Sequence, residues 1–389
     1  MTKIFDWKNS EDARDIVHLV VQALVEARLV VLPTETGYHV FASALQPEAV
    51  AQLRAQLGDK DLPALFVRSF SEALDFVPQA SAVAQRLLRR GWPAPIEVCL
   101  PGEQSELSLV AQLPAGVRQL FTHRPAPLGL RGVDHEVIAQ TMRLMPGPLI
   151  GVALTDAAGH GLTDLSEMGA VWRDSISCAV DDGLPPQPGF ATRVFIEENR
   201  CRIDRHGVVP QQKVAQLAQF VILCVCTGNT CRSPMAEALF KHTLAQRFAN
   251  LLHGPFPAFY VASAGLSAFP GGPASPEAVK AMQRRGLNLE EHQSQPLSEH
   301  HVRYADAVFT MTQSHRQAIL AQMPDCAEKV QLLSPQGSDV HDPFGGTQDQ
   351  YLKCADQMEH FVRQRVEELE DSLFPVWETT AEPSSDDGI

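Results

Sequence analysis

The chain lacks the long apolar runs and the secretory signal that would direct it to a membrane or out of the cell. None of its apolar runs approaches the roughly 20 residues of a membrane-spanning helix. Residues 1–8 have no apolar core of the kind found in a secretory signal. We therefore expect a cytoplasmic protein without a membrane partner.

Positive charge is also in short supply. The sequence has 32 Lys and Arg against 46 Asp and Glu, which gives a net charge of −14, and both halves of the chain are acidic. Neither half has the overall basic charge that is typical of proteins binding a nucleic-acid backbone. The net charge does not exclude a local basic patch.

The eight cysteines do not have the spacing of a metal site or of a disulfide framework. They are scattered along the chain, and no Cys-x-x-Cys pair or histidine cluster has the spacing of a zinc site. This pattern predicts reduced thiols rather than a disulfide framework. We expect no metal and no cofactor.

The length of 389 residues favours two domains. Helical periodicity at 48–57 and 82–90 and an apolar strand at 149–154 predict an α/β fold for the first half. The predicted divisions are an N-terminal domain at 1–212, a polar linker at 213–219, a second domain at 220–375 and a disordered tail at 376–389.

The second half opens with the unbroken apolar run Phe220-Val-Ile-Leu-Cys-Val225, which is typical of a buried parallel strand. The later periodic segments predict helices at 234–247, 275–285, 314–322 and 348–370, and strands at 259–262 and 307–311. This alternation predicts a doubly wound parallel sheet.

A phosphate-binding loop is predicted directly after that first strand, in Cys226-Thr-Gly-Asn-Thr-Cys-Arg-Ser233. Five residues separate Cys226 from Arg232, and their backbone N–H groups can surround an anion at the start of the following helix. Gly228 and Asn229 are residue types that tolerate left-handed backbone angles. Pro234 suits the first position of a helix.

The side chains of this loop fit phosphoryl transfer. The positive field favours Cys226 as a thiolate nucleophile, and Arg232 offers a planar fork to phosphate oxygens. Ser233 can donate a hydrogen bond to the thiolate, and Asn229 braces the loop. The leaving group also needs a proton, for which Asp342 in His341-Asp-Pro-Phe344 is the candidate acid.

Residues 220–373 resemble the low-molecular-weight protein-tyrosine-phosphatase family, which includes bacterial protein-arginine phosphatases. The segments that carry the resemblance are Cys226–Glu237, Ser263-Ala-Gly-Leu-Ser-Ala268, Pro273-Ala-Ser-Pro276, Ala305-Asp306, Thr310-Met-Thr312 and Asp342-Pro-Phe-Gly-Gly346.

This resemblance implies a Rossmann-like four-stranded parallel sheet, a phosphocysteine intermediate, no metal, and a phosphorylated protein as substrate. It implies catalytic roles for Cys226, Arg232 and Asp342. The implied substrate-binding residues are Thr227, Gly228, Asn229, Thr230, Cys231, Ser233 and Phe344. Within the family, Thr at the position of Thr230 is typical of the arginine-directed branch and Ile of the tyrosine-directed branch. Phosphoarginine is therefore favoured over phosphotyrosine.

Residues 14–207 resemble the threonylcarbamoyl-adenylate synthase (YrdC-like) family, which implies a twisted α/β domain with a concave cavity. The segments that carry this resemblance are Val31-Leu-Pro-Thr-Glu-Thr-Gly-Tyr38, Gly91-Trp-Pro-Ala-Pro95, Leu130-Arg-Gly-Val-Asp-His135, Asp182-Gly183, Ala191-Thr192 and Arg205-His-Gly-Val208. Thr34 and Arg131 are the candidate residues of an N-terminal pocket.

This first domain departs from its family's pattern at three places. Residues 54–60 lack the Lys-x-Arg element, Ala153-Leu-Thr155 replaces Ser-x-Asn, and Ala191 replaces a serine. Losing these polar groups removes counter-charge that a bound ATP needs, so the sequence predicts a degenerate domain.

Three other functions compete with a phosphatase alone. A bifunctional enzyme would also make threonylcarbamoyl-AMP from ATP, threonine and bicarbonate for tRNA modification. Alternatively, the first domain would bind RNA or a nucleotide. Arsenate reduction would need two further cysteines near the loop, and Cys326 and Cys354 lack the short spacing expected for them.

Overall fold

The computed structural model describes residues 2–378 except 58–62, 103–104, 123–126, 157, 250 and 252–253. These residues form two compact units, which we call unit 1 (Met1–Ala218 with the chain from Trp377 onward) and unit 2 (Gln219–Val376). Lys60 and most of the tail predicted at 376–389 lie outside the described residues. The described start of that tail is partly ordered, because Val376–Trp377 is a short strand.

Unit 1 is an α/β unit built on one large sheet. Its strands are β1 (Lys3–Asp6), β2 (Leu29–Thr34), β3 (Gly37–Ser43), β4 (Ala64–Phe66), β5 (Ile96–Leu100), β6 (Leu128–Arg131), β7 (Leu149–Ala153), β8 (Ile176–Asp181), β9 (Thr192–Glu197) and β10 (Arg200–Arg205). Its helices are α1 (Ala13–Val25), α2 (Pro47–Leu57), α3 (Phe70–Phe76), α4 (Ala82–Gly91), α5 (Ala115–Thr122), α6 (Glu136–Leu144), α7 (Ala170–Ser175) and α8 (Gln211–Ala218), with 3₁₀ turns at Leu109–Gln112 and Leu165–Glu167.

The sheet of unit 1 mixes parallel and antiparallel pairs. Its strand order is β1-β8-β2-β3-β7-β4-β6-β5-β9-β10, and the strand Val376–Trp377 (β15) follows β10. In the register of β6, β5 and β9, Glu97 lies opposite both Arg131 and Arg193. Because residues paired in register share one face of a sheet, the pairing places a row of charged side chains on a single face.

The segment expected as a linker, 213–219, is not a linker in the structure. Most of it belongs to α8, whose buried residues are Val214, Ala215, Leu217 and Ala218. Arg86 on α4 donates a hydrogen bond from Nη1 to the carbonyl oxygen of Ala218 at 2.8 Å. The apolar positions of this short, mostly polar sequence are spaced to bury one helix face, and burial on unit 1 outweighs its polar composition.

Unit 2 alternates strands and helices as the sequence predicts. Its strands are β11 (Phe220–Cys226), β12 (Phe259–Gly265), β13 (Ala307–Thr310) and β14 (Val330–Leu332). Its helices are α9 (Arg232–Arg247), α10 (Pro276–Gln283), α11 (Glu299–Tyr304), α12 (Gln313–Gln322) and α13 (Gln348–Glu367), with 3₁₀ turns at Pro324–Cys326 and Asp371–Leu373.

The four strands of unit 2 form a parallel sheet in the order β12-β11-β13-β14. Successive residues of β11 enter opposite cores: Ile222 and Cys224 pack in one cluster, and Val221 and Leu223 in the other. This alternation explains why β11 reads as a continuous apolar run, because both of its faces are covered. The Rossmann-like four-stranded sheet is confirmed.

Among the described ranges, no helix combines the length and the apolar character that crossing a bilayer would require.

Candidate active site

The loop predicted to bind phosphate lies at the carboxyl end of the central strand of unit 2. Cys226 is the last residue of β11, and the chain then turns into α9, which begins at Arg232. Both residues are buried. The carboxyl ends of parallel strands are where open α/β sheets bind ligands, so the fold brings Cys226 and Arg232 together as the sequence predicts.

The carbonyl groups of this loop point outward. The carbonyl oxygens of Cys226, Thr227 and Thr230 accept hydrogen bonds from the backbone N–H groups of residues 266, 267 and 275 at 2.8–3.0 Å. The carbonyl oxygen of Asn229 accepts from His292 Nε2 at 2.8 Å. Because a peptide's N–H points opposite to its C=O, anchoring the oxygens outside turns loop N–H groups inward, as an anion cradle requires.

Asn229 is the residue that adopts the left-handed conformation in this loop, with φ of 55°, and Gly228 does not. The backbone N–H of Gln295 donates to Asn229 Oδ1 at 2.8 Å, which fixes the orientation of the amide. Asn229 Nδ2 therefore donates to two hydroxyl groups, those of Ser233 and Ser263, each at 2.9 Å. Left-handed angles favour Asn over larger residues, which accounts for the residue type.

This fixed amide sets the direction of the hydrogen bonds that reach the sulfur. Ser233 Oγ accepts from Asn229, so its own hydrogen is free for an acceptor. Cys226 Sγ lies 3.0 Å away, whereas the alternative acceptor, the carbonyl oxygen of Ala264, lies 3.5 Å away. The backbone N–H of Asn229 also donates to Cys226 Sγ, at 3.2 Å. Two donors directed at one sulfur stabilise a thiolate.

The far end of the same network terminates on a carboxylate. Ser263 donates to Glu237 Oε2 at 2.6 Å, and Lys241 pairs with Glu237 Oε1 at 2.6 Å. The hydrogen bonds of this network therefore run outward from the Asn229 amide, through Ser263 to Glu237 and through Ser233 to the sulfur of Cys226.

Close approach of β12 to the loop depends on Gly265. A Cβ atom at this position would lie 2.6 Å from the carbonyl oxygen of Thr227 and 2.9 Å from the backbone nitrogen of Asn229. Both neighbours are backbone atoms that cannot rotate away, so only glycine fits.

Arg232 and Asp342 form an ion pair. Arg232 Nη2 lies 2.6 Å from Asp342 Oδ2, and Nη1 donates to the carbonyl oxygen of Val340 at 3.3 Å. The Arg232 side chain is 5% exposed and that of Asp342 is 49% exposed. The carboxyl group proposed from sequence as an acid therefore sits at the solvent side of the arginine proposed to hold phosphate.

The remaining predicted residues surround the same loop. Thr227 is exposed, and Gly228 and Thr230 are half-buried. Cys231 is buried, with Sγ 3.3 Å from both Ser275 Oγ and Tyr351 Oη. Phe344 is 76% exposed and donates its backbone N–H to Asp342 Oδ1 at 3.2 Å.

Pro234 is the third residue of α9, not the first as predicted. Its missing N–H costs nothing there, because the first four N–H groups of a helix have no intrahelical acceptor.

Sequence reasoning assigned no role to four residues that shape the site: Ser263, His292, Gln295 and His315. They lie 30 to 82 positions beyond Ser233, the last residue of the loop, and reach it only through the fold. Ser263 belongs to a segment quoted for the family resemblance, which was the one available signal. His315 contacts Thr227, with Nε2 2.9 Å from Oγ1.

The pocket predicted in unit 1 is a cleft of about 280 Å³, including space open to solvent. Arg131 lines this cleft, whereas Thr34 is buried beside it. Arg131 Nη2 pairs with Glu35 Oε1 at 2.9 Å, and Nη1 lies 2.7 Å from His39 Nε2. Thr34 Oγ1 lies 3.3 Å from His39 Nδ1 and donates to the carbonyl oxygen of Gly37.

The cations of this cleft are paired with carboxylates of the same unit. Glu97 accepts from Arg193 Nε at 2.9 Å and from Arg205 Nη2 at 3.1 Å. Burial, and then the charge of Arg131, hold the pKa of His39 well below its usual value, so this imidazole is neutral at pH 7. The arrangement leaves less cationic charge for a polyphosphate than the number of arginines suggests.

Within the described ranges no group of three or more His, Cys, Asp or Glu side chains is arranged to hold a metal ion. The two cysteines considered for arsenate reduction are separated by the sheet, because Cys326 packs in one core of unit 2 and Cys354 in the other. Burial raises the pKa of Cys354 to about 12, and its thiol donates to the carbonyl oxygen of His341 at 3.4 Å. These positions do not form the required thiol relay.

Comparison with known proteins gives two family matches. Residues 221–373 match the family described as low molecular weight phosphotyrosine protein phosphatase. Residues 22–207 match the Sua5_yciO_yrdC family, described as telomere recombination.

Curated relatives match the second half of the chain. The protein-arginine-phosphatase of Bacillus subtilis (strain 168) is 41% identical over 152 residues, which are 38% of this chain and 95% of that protein. The protein-arginine-phosphatase of Geobacillus stearothermophilus is 34% identical over 38% of this chain and 95% of its own length. The low molecular weight protein-tyrosine-phosphatase Wzb of Salmonella typhi is 34% identical over 38% of this chain and 93% of its own. Through unit 2, the chain therefore belongs to the low molecular weight phosphatase family of cysteine-dependent enzymes, joined here to a unit of the Sua5/YrdC type.

Proposed function

We propose that unit 2 hydrolyses phosphoarginine in protein substrates, in preference to phosphotyrosine, and that Cys226, Arg232 and Asp342 are its catalytic residues. The observation that carries the proposal is the geometry of the loop. Its carbonyl groups are hydrogen-bonded on the outside of the loop, and two hydrogen-bond donors point at the sulfur of Cys226. We also propose that units 1 and 2 are separate domains, with the boundary in the sequence after Ala218.

In the proposed reaction, the Cys226 thiolate attacks phosphorus while loop N–H groups and Arg232 hold the phosphoryl oxygens. The bond from phosphorus to the leaving nitrogen or oxygen breaks, and Asp342 transfers its proton to that atom. A phosphocysteine remains. Water then attacks phosphorus, Asp342 accepts a proton from it, and the departing thiolate is stabilised by the hydrogen bond from Ser233.

Thr230 supports the arginine preference. Among the described residues its hydroxyl contacts Cys231 Sγ at 3.7 Å, a long hydrogen-bond distance, so the hydroxyl contributes little to holding the loop in shape. A hydroxyl at this position suits a polar guanidinium, whereas a larger aliphatic side chain would desolvate it. Gly345, which follows Phe344, has a φ of 74° that by itself favours glycine, so its residue type does not indicate a substrate preference.

A side-by-side assay of phosphoarginine, phosphotyrosine and phosphoserine proteins tests this function. We expect turnover of phosphoarginine first and phosphotyrosine second, and none by Cys226→Ser. The variant should still bind phosphate or vanadate, because a hydroxyl is a far weaker nucleophile while the amide cradle remains. Residual activity of Cys226→Ser near that of the wild type would reject the assignment. Efficient hydrolysis of phosphotyrosine with none of phosphoarginine would reject the preference alone.

The family match of unit 1 supports a second candidate, binding of a nucleotide or RNA, with adenylate synthesis as its catalytic form. The internal pairing of Arg131, Arg193 and Arg205 favours binding without synthesis. ATP- and threonine-dependent release of pyrophosphate, measured on full-length Cys226→Ser, separates these forms. Synthesis would be established if more pyrophosphate is released with threonine present than in the control reaction that lacks threonine.

A further inference from the structure

His315 is a buried histidine next to the phosphate loop that the reaction above does not use. It is 5% exposed and occupies the third position of α12, where its backbone N–H is capped by Thr312 Oγ1 at 3.3 Å. Its Nε2 lies 2.9 Å from Oγ1 of Thr227, the residue directly after the nucleophile. Its Nδ1 is buried and has no hydrogen-bond partner among the described residues.

This asymmetry determines which ring nitrogen carries the hydrogen. A hydrogen on Nδ1 would be a buried donor without an acceptor, which costs about 1–3 kcal/mol. Buried N–H groups without an acceptor are rarer in proteins than buried acceptors without a donor. The hydrogen of the neutral ring therefore sits on Nε2, and Thr227 Oγ1 accepts it.

The neutral state has a physical cause. Burial, followed by the positive charge of Arg232, lowers the pKa of His315, while Asp342 and Asp339 oppose this shift. His315 thus presents a single N–H, held rigidly by a capped helix, to an exposed hydroxyl of the loop.

We propose that His315 is a positioning residue that turns the hydrogen of the Thr227 hydroxyl toward the substrate. Because Oγ1 accepts from His315, its hydrogen is directed away from the ring, to the exposed side of the loop where the phosphoryl group enters. A hydroxyl that donates to a phosphoryl oxygen forms a charge-assisted hydrogen bond. This inference rests on the proposed phosphatase function and adds to it a donor beyond the backbone and Arg232.

The test compares kcat/KM for p-nitrophenyl phosphate and for a phosphoarginine protein among full-length variants. Thr227→Val and His315→Leu should each lose about tenfold to a hundredfold, the scale of one hydrogen bond to a charged group. The double variant should lose no more than either single variant, because both remove the same interaction. Thr227→Ser and His315→Gln should keep most of the activity, because the first retains the hydroxyl and the second retains a side-chain N–H donor. His360→Leu, an exposed histidine of α13, is the matched control.

A merely structural role for His315 predicts a different pattern. Its loss would then lower the activity whether or not position 227 carries a hydroxyl, and the two losses would multiply in the double variant. Multiplied losses, His315→Gln as inactive as His315→Leu, or unchanged activity of Thr227→Val would each overturn the proposal. All of these require an active wild-type enzyme. A wild type inactive on every phosphorylated substrate would instead overturn the proposed function.

Discussion

The arginine and the carboxyl group proposed for catalysis, Arg232 and Asp342, form an ion pair with each other. The guanidinium that should bind the phosphoryl group is already paired with Asp342 at 2.6 Å. A phosphoryl group that binds Arg232 must compete with the Asp342 carboxyl group for the same guanidinium. We therefore expect the entering phosphoryl dianion to displace Asp342 from Arg232, which frees the carboxyl group for proton transfer to the leaving group.

Asp342→Asn should have two opposite effects. It should lower kcat by roughly 10²–10⁴, the usual contribution of a general acid, and less for aryl phosphates with acidic leaving groups. It should also tighten inhibition by inorganic phosphate, because the ion no longer competes with a carboxylate for Arg232. Asp349→Asn removes an exposed carboxylate and should change neither quantity. An equal loss of kcat for leaving groups of every pKa would contradict the acid role.

Thr230→Ile should change specificity more than rate. We expect the ratio of kcat/KM for phosphoarginine to that for phosphotyrosine to fall by about tenfold or more, the scale of one methylene and one hydroxyl in a pocket. Thr230→Ser keeps the hydroxyl and serves as the control. A ratio that is the same in Thr230→Ile and the wild type would place the determinant of specificity elsewhere.

At the scale of elements, the site depends on how closely β12 approaches the loop after β11. The two strands pair in parallel through Cys226 and Gly265, and the chain after Gly265 donates its backbone N–H groups to the loop. The loop conformation is therefore a property of the strand pair as well as of the motif.

Gly265→Ala should disturb the loop without touching any catalytic side chain. The added Cβ would overlap backbone atoms of Thr227 and Asn229, so the loop must shift and its N–H groups lose their common focus. We expect weaker binding of phosphate or vanadate and a lower melting temperature. Gly254→Ala is the control, because its Cβ would meet its nearest neighbour at 3.8 Å. Oxyanion binding by Gly265→Ala equal to that of the wild type would refute this account.

The sequence predicts the elements of unit 2 where periodicity is strong. The strand run from Phe220 and the four long helices are confirmed within a few residues. The short elements α11 and β14 were not predicted, because six and three residues are too few to show a period. The partners of Asn229 could not be predicted either, since Ser263 and Gln295 meet it only after β12 pairs with β11.

At the scale of the whole molecule, the chain joins two units with different polar interiors. The site of unit 2 lies at the end of a sheet with apolar faces. Unit 1 instead buries a row of paired Arg and Glu side chains on one face of its sheet. Buried ion pairs contribute little net stability, but breaking one leaves an uncompensated charge, so this row makes unit 1 sensitive to single substitutions.

Arg131→Met should destabilise unit 1 by about 3–5 kcal/mol, because it leaves Glu35 buried without its cation. Calorimetry should show a lower transition temperature for unit 1, while kcat/KM for phosphorylated substrates stays the same, since the proposed catalytic residues all belong to unit 2. Arg14→Met removes an exposed pair and should have little effect. A parallel loss of phosphatase activity would reveal coupling between the units.

The fixed amide of Asn229 has a consequence for attempts to transplant this chemistry. The eight residues from Cys226 to Ser233 contain the nucleophile and the arginine, but they do not fix the orientation of the Asn229 amide. That orientation is set by the backbone N–H of Gln295, and the loop also depends on Ser263 and Gly265 of the neighbouring strand. A graft of the octapeptide alone onto a foreign strand and helix would carry the nucleophile and the arginine while leaving the amide free to flip. Searches and designs for such sites should therefore require the octapeptide together with Ser263, Gly265 and Gln295.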